Sequence, residues 1–217
     1  MERVLEPEVM DDELQAIAYA KADFSASNQA FVDGLIEAYP SNLGVVLDIG
    51  CGPGDIAIRL ARAKSSVYVV AVDASEAMVC LAHEAAETAD LLRRVRVVHG
   101  RVPGLRLRQG GFDAIVSKDL LHHLPEPRAF WEEVKRIGRP GTAVYVMDLF
   151  RPESEEAARQ IVESVSPDEH EILKRDFYNS LLAAFTPDEV RDQLRQVGLG
   201  FEVEVVSERH LRIRGSL

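Results

Sequence analysis

The chain is poor in cysteine, aromatic residues and positive charge, and it has no long apolar run. Its two cysteines, Cys51 and Cys80, give no disulfide framework and point to a reducing, cytoplasmic location. Lys and Arg number 25 against 36 Asp and Glu, a net charge of -11. Nucleic-acid binding rests mostly on Lys and Arg contacts to phosphate, so a large backbone footprint is disfavoured. Arginines do gather at Arg93, Arg94, Arg96 and Arg101, and again at Arg106 and Arg108, but no aromatic residue is interleaved to stack a base. They read as solvated faces, and nucleic acid is not an expected partner. No stretch approaches the ~20 apolar residues that span a bilayer, and the start Met1-Glu2-Arg3-Val4 lacks a signal peptide's basic and apolar regions. No membrane association is expected. What is present, 217 residues with 47% hydrophobic and 28% charged, suffices for one domain with a substantial core.

Strand-like and helix-like segments alternate, the pattern of a parallel α/β sheet. Strands are predicted at 45–49, 67–73, 95–99, 112–117 and 142–148, with helices at 54–63, 75–89 and 127–137. Thr186-Pro187-Asp188-Glu189 reads as a capping box that opens a helix ended by Gly198. Two alternating segments follow, 201–205 and 211–214, which predict an antiparallel pair on one sheet edge. No repeat, low-complexity tract or linker divides the chain, so a single domain over 1–217 is expected.

The most informative stretch is Val45-Val46-Leu47-Asp48-Ile49-Gly50-Cys51-Gly52-Pro53-Gly54-Asp55. An apolar, β-branched run reads as a strand buried on both faces. Alternate glycines then let the backbone turn sharply and bring its N–H groups against a ligand, and the following segment opens a helix whose positive end faces that ligand. A dinucleotide site uses G-x-G-x-x-G, whereas here the spacing is G-x-G-x-G with Asp48 before the loop and Asp55 after it. Two carboxylates repel a pyrophosphate and suit a cationic ligand, such as an amino acid ammonium beside a sulfonium. Asp73, ending the second apolar run, is placed to accept both ribose hydroxyl hydrogens, with capping of the next helix as its alternative role.

Asp48-Ile49-Gly50-Cys51-Gly52-Pro53-Gly54, the acidic strand end Val69 to Asp73, Phe112 to Ser117 leading into Leu120-Leu121-His122-His123-Leu124, and Arg139-Pro140-Gly141-Thr142 together resemble the class I S-adenosylmethionine-dependent methyltransferases. The resemblance covers about residues 40–150. It implies a Rossmann-like, doubly wound, mostly parallel seven-stranded sheet with an antiparallel C-terminal strand and helices on both faces. It also implies S-adenosyl-L-methionine as cofactor, leaving as S-adenosyl-L-homocysteine. Gly50, Cys51, Gly52 and Gly54 would approach its amino acid portion and Asp48 its ammonium. Asp73 and Ala74 would take the ribose, and Ser117 would stand at the exit of the fourth strand. Similar enzymes often place an acidic residue after the third strand to meet the adenine amine. Here Arg101 stands there, which leaves adenine to backbone groups from Gly100 to Val102.

The remaining site residues fall beyond the strand ends, where ligands of open α/β sheets bind. Residues 1–40 are expected as a helical lid, 41–150 as the cofactor core, 151–185 as a substrate-side insertion and 186–217 as the terminal helix and strand pair. His122 and His123 either take a proton from the methyl acceptor or hold a turn by bonding backbone, His122 being preferred as the base. Asp148 and Arg151, at the end of the fifth strand, are further candidate catalytic residues at the mouth of the crevice, Arg151 either clamping a substrate carboxylate or pairing with Asp148. Tyr19, Phe24 and Tyr178 are candidate walls around the methyl group. A metal is not expected: adjacent histidines on a turn should point apart, and no H-x-x-x-H or paired-cysteine spacing occurs. These features favour methyl transfer to an oxygen, nitrogen or sulfur of a small metabolite. A protein or RNA acceptor and a noncatalytic cofactor-binding regulator stay open, and the oligomeric state is undetermined.

Overall fold

The computed structural model describes residues 1–6, 16, 19, 20, 22–41, 43–167 and 169–217. Its elements are α1 (Ser25–Ala38), β1 (Val45–Ile49), α2 (Asp55–Ala63), β2 (Tyr68–Asp73), α3 (Glu76–Thr88), β3 (Val95–His99) and β4 (Ala114–Lys118). A single 3-10 turn, Leu121–His123, precedes α4 (Pro127–Ile137), β5 (Ala143–Leu149), α5 (Glu155–Val165) and α6 (Glu171–Ala183). The chain closes with α7 (Pro187–Gln196), β6 (Glu202–Val205) and β7 (His210–Ser216). The strand order is β3-β2-β1-β4-β5-β7-β6, with β1 to β5 parallel and β7 antiparallel to both β5 and β6.

The interior strand β5 shows why the apolar runs lack alternation. All seven of its residues are buried. Ala143, Tyr145 and Met147 enter the core under α1 and α2, while Val144 and Val146 enter the core built by Phe130, Trp131, Ile137 and Leu194 of α4 and α7. A strand covered on both faces must be apolar at every position. Asp148 is the exception on β5, as Asp48 is on β1, each only 2% exposed.

Boundaries shift where polar groups intervene. β4 begins at Ala114 rather than 112, and Asp113 just before it is fixed to both neighbours: its N–H donates to the Val45 carbonyl at 2.8 Å and its carbonyl accepts from Ala143 N at 2.9 Å, while its Oδ2 accepts the Val45 N–H at 2.7 Å and its Oδ1 accepts from Arg139 Nη2 at 2.7 Å. That carboxylate ties the start of β4 to β1 and to the turn before β5. α1 starts at Ser25 rather than at Gln29. The capping box forms, with Thr186 Oγ1 accepting from Glu189 N at 3.3 Å and Glu189 Oε2 accepting from Thr186 N at 2.8 Å. The stretch 151–185 folds as α5 and α6, which bury Ala158, Val162, Leu181 and Ala184 against Leu149. The helix-like stretch at 13–20 lies mostly outside the described residues.

Candidate active site

The loop after β1 is held by backbone contacts to β2. The N–H groups of Gly50 and Cys51 both donate to the Val72 carbonyl, at 2.8 and 3.0 Å. Gly50 has φ +74°, and a Cβ there would come within 2.9 Å of Leu120. Gly52 has φ +51° with nothing within 4 Å of where its Cβ would stand, so its backbone faces open space. Asp73 organises the same loop, its Oδ2 accepting from Gly52 N at 2.8 Å and its Oδ1 from Ser75 N at 2.9 Å. Burial pushes the Asp73 carboxyl up from its ordinary range, although those backbone bonds oppose the shift.

These groups line a crevice of about 620 Å³ at the carboxyl ends of the parallel strands. Asp48, Gly50, Cys51 and Gly52 border it, as do Asp73, Ala74, Arg101 and Val102. Burial, with the Asp73 charge nearby, holds the Asp48 carboxyl up at about 7. Among the described residues, Asp48 Oδ2 has no hydrogen-bond partner. A buried carboxylate oxygen at the edge of a crevice is poised for a cation, so the acidic loop fits a ligand carrying an ammonium and a sulfonium. Gly54 and Ser117 stand apart from this lining. Gly54 caps α2 against Ala82, and the Ser117 hydroxyl donates to the Ile49 carbonyl at 2.7 Å, fastening β4 to β1.

Tyr19 and Phe24 cover the crevice from the N-terminal side, their rings 4.8 Å apart. Burial and the charges of Asp119, Asp73 and Asp148 push the Tyr19 phenol up, so it remains neutral. Asn28 of α1 donates to Asp55 Oδ2 at 2.8 Å, linking that cover to the start of α2. At the exit of β4, Lys118 and Asp119 form an ion pair beside the crevice, and Asp119 adopts φ 54°. Burial opposes ionisation of Asp119, but the Lys118 and His210 charges outweigh it and bring its carboxyl down to about 2.

The histidines contradict the expected divergence. Their ring centroids are 4.2 Å apart, and both reach Glu6 Oε1, at 3.5 Å from His122 Nε2 and 3.1 Å from His123 Nδ1. The tight 3-10 turn keeps the rings side by side, and an N-terminal strap brings Glu6 across them. Arg3 fixes the strap: its Nε donates to the Ala183 carbonyl and its Nη2 to the carbonyls of His122 and Leu124, at 2.7 and 3.0 Å. Its guanidinium also lies 3.8 Å from the centre of the Phe185 ring. Val4 N donates to the Leu182 carbonyl at 3.1 Å, and the Ser180 hydroxyl to Glu6 Oε2 at 3.3 Å. Nothing local in the sequence marks Arg3 or Glu6, because their partners are more than a hundred residues away.

Only His123 of the pair lines the crevice, whereas His122 is 3% exposed and locked to Asp148. Asp148 Oδ1 is 2.5 Å from His122 Nδ1, and Oδ2 accepts the Leu121 N–H at 2.5 Å. Burial works against the imidazolium, yet the Asp148, Glu6 and Asp119 carboxylates prevail and raise the His122 pKa to about 8. A ring so enclosed holds the turn and does not reach a substrate in the crevice, which corrects the preference for His122 as a direct base.

Arg151 neither lines the crevice nor pairs with Asp148. It donates to the Ala184 carbonyl at 2.8 Å and to Glu189 Oε1 at 2.7 Å, joining the end of β5 to the capping box. Tyr178 likewise lies elsewhere, its hydroxyl donating to Glu155 Oε2 at 3.2 Å beneath Arg159. Arg151→Ala is therefore expected to lower stability by about 1–3 kcal/mol through the unpaired carbonyl and carboxylate, measured by urea unfolding. Cofactor affinity should be unaltered in the folded variant, and a tenfold loss there would return Arg151 to the site.

Residues 46–141 match the family described as a methyltransferase domain. Among curated proteins, 27-O-demethylrifamycin SV methyltransferase of Amycolatopsis mediterranei is 30% identical over 154 residues, which is 71% of this chain and 53% of that protein. The chain thus spans about half the length of that relative. Among solved structures, a putative S-adenosyl-L-methionine-dependent methyltransferase from Methanococcus maripaludis aligns with a TM-score of 0.74 at 20% identity, covering 98% of this chain and 96% of that one. A SAM-dependent methyltransferase from Aquifex aeolicus aligns with a TM-score of 0.70 at 21% identity, covering 94% and 97%. Residues 46–141 are thus a methyltransferase domain, and the seven-stranded sheet with its acidic glycine loop has the class I, Rossmann-like fold of the S-adenosylmethionine-dependent methyltransferases it resembles.

Proposed function

We propose that this protein transfers the methyl group of S-adenosylmethionine to an oxygen, nitrogen or sulfur atom of a small metabolite. When bound, the donor supplies a methyl group activated on a positively charged sulfur. The chain's residues fit that group. Asp48 would hold its ammonium, the Gly50 to Gly52 backbone its carboxylate end, and Asp73 its ribose hydroxyls. Tyr19 and Phe24 would exclude water above the reacting centre, and backbone around Gly100 to Val102 would meet the adenine. Methyl transfer is an in-line displacement, so the protein acts mainly by holding donor and acceptor in line and dry.

The observation that carries a small acceptor is the character of the crevice rim. Its volume of about 620 Å³ falls within the ~300–1,000 Å³ of small-molecule sites. Of the arginine cluster at 93–108, only Arg101 borders it, and Arg94 is spent on the carbonyls of Ala61 and Lys64. An RNA acceptor would need those arginines around the mouth. The relative from Amycolatopsis, named for a demethylrifamycin substrate, agrees in kind. We read residues 1–217 as one domain, with α5 and α6 on the acceptor side.

The test is incubation with methyl-labelled donor and a cell extract, followed by separation of products by size. Label is expected in the small-molecule fraction. Label confined to protein or RNA would overturn the metabolite reading, and donor bound without any transfer would favour a noncatalytic binder.

A further inference from the structure

We propose that Glu6, His122 and His123 form a binding site for one divalent transition-metal ion of the Zn²⁺ class beside the donor crevice. Each of the three offers a ligand atom, all within 4.8 Å of one another, and Glu6 Oε1 faces His122 Nε2 and His123 Nδ1. Zinc bonds of about 2.0–2.2 Å bring their ligand atoms to roughly 3–4 Å apart. The separations of 3.5 and 3.1 Å from Glu6 Oε1 to the two ring nitrogens already match.

Three further observations point to a cation. First, Glu6 has a side chain only 10% exposed, and among the described residues its Oε1 has no hydrogen-bond partner. A buried carboxylate oxygen close to two ring nitrogens, without hydrogen-bond alignment to either, is what a shared ion would resolve. Second, Asp148 occupies His122 Nδ1, so the neutral ring presents its lone pair at Nε2, toward Glu6. A carboxylate behind a ligating imidazole is the usual support of a metal-bound histidine, fixing tautomer and ring plane. Asp148 is itself fixed by the Leu121 N–H. Third, the other Glu6 oxygen is held by Ser180 and the strap by Arg3, so the carboxylate is anchored from both directions.

The donor set selects the ion. Two imidazoles and one carboxylate suit Zn²⁺ or Co²⁺, whereas Mg²⁺ and Ca²⁺ take oxygen donors. Three protein ligands leave a coordination position open. Because His123 lines the crevice, an acceptor hydroxyl or enol oxygen entering there is the candidate for that position. Such coordination would lower the oxygen's pKa. The metal site stands apart from the methyl-transfer reading, since ion binding is measured without donor or acceptor.

The test uses the full chain, freed of metal with a chelator, carrying Cys80→Ser so that the exposed thiol does not itself capture the ion. Zn²⁺ is titrated calorimetrically and Co²⁺ by its visible absorption. One equivalent is expected, with thermal stability rising as ion is added. Glu6→Gln and His123→Ala should each weaken binding at least tenfold, and Asp148→Asn by about 10–100-fold through the imidazole it supports. Circular dichroism confirms that each variant is folded, and Glu6→Asp should restore part of the affinity. The proposal is overturned if the parent chain takes up no ion, or if Glu6→Gln and His123→Ala, both folded, bind as the parent does.

Discussion

Asp73→Ala is expected to weaken S-adenosylhomocysteine binding by about 100- to 1,000-fold, the largest single-residue effect on the donor side. Hydrogen bonds to a charged group contribute about 1.5–3 kcal/mol each, and a bidentate grip on two ribose hydroxyls loses both. The same carboxylate accepts from Gly52 and Ser75, so its loss also frees the glycine loop and the start of α3. Calorimetric titration of the variant reads the change. Asp73→Asn keeps the shape and loses the charge, and should fall between parent and alanine variant. A loss below tenfold for Asp73→Ala, with the protein folded, would remove Asp73 from the cofactor contacts.

Donor affinity is also expected to depend on pH through Asp48. In the free protein burial holds this carboxyl up at about 7, whereas a bound ammonium favours the carboxylate. Binding must therefore expel the proton whenever pH lies below about 7. Each unit below that point costs about 1.4 kcal/mol, a factor of ten, so affinity at pH 5 should be roughly 100-fold below its plateau. The raised pKa of Asp73 acts in the same direction. The comparison belongs below pH ~7.5, before a free α-amino group begins to lose its own proton. Stability of the free protein runs oppositely. A carboxyl with a raised folded pKa contributes most when protonated, and that contribution is lost as pH rises from the ordinary carboxylate range to about 7. Cofactor should thus raise the melting temperature more at pH 7.5 than at pH 5.5. Asp48→Asn should flatten the binding profile, and a steep profile surviving in that variant would assign the titration elsewhere.

The sheet was legible because its determinants are local. A strand such as Val45 to Ile49, buried on both faces, must be apolar at all but its one functional position, Asp48, and the turn after it must tolerate positive φ at Gly50 and Gly52. The capping box at Thr186 is legible for the same reason, since all its atoms lie within one helical turn. The acceptor side was not, because its contacts join distant parts of the chain. Arg151, three residues after Asp148, invites a pairing between them. A β5 residue and its second neighbour's successor point to different surroundings, and the partner of Arg151 proved to be Glu189 of the capping box. Tyr178 lies in α6, whose orientation is set by Leu181 packing toward α5 rather than by any aromatic wall. The rule that neighbouring histidines point apart failed at the 3-10 turn because a third group, Glu6, arrives from the other end of the molecule.

The strap's anchorage bears on how much sequence change this surface tolerates. Arg3 recognises carbonyl oxygens of Ala183, His122 and Leu124, and Val4 that of Leu182, so docking reads main chain at these points. Amino-acid identity at exposed α6 positions is largely invisible to that interaction. A library randomised on α6, sparing Ser180 and the buried Leu181, is therefore expected to leave the strap seated. The crevice, lined from the ends of β1, β2 and β4 and their loops and by no residue of α6, would pass through such diversification intact, so surface change on α6 and retained crevice chemistry can be selected together.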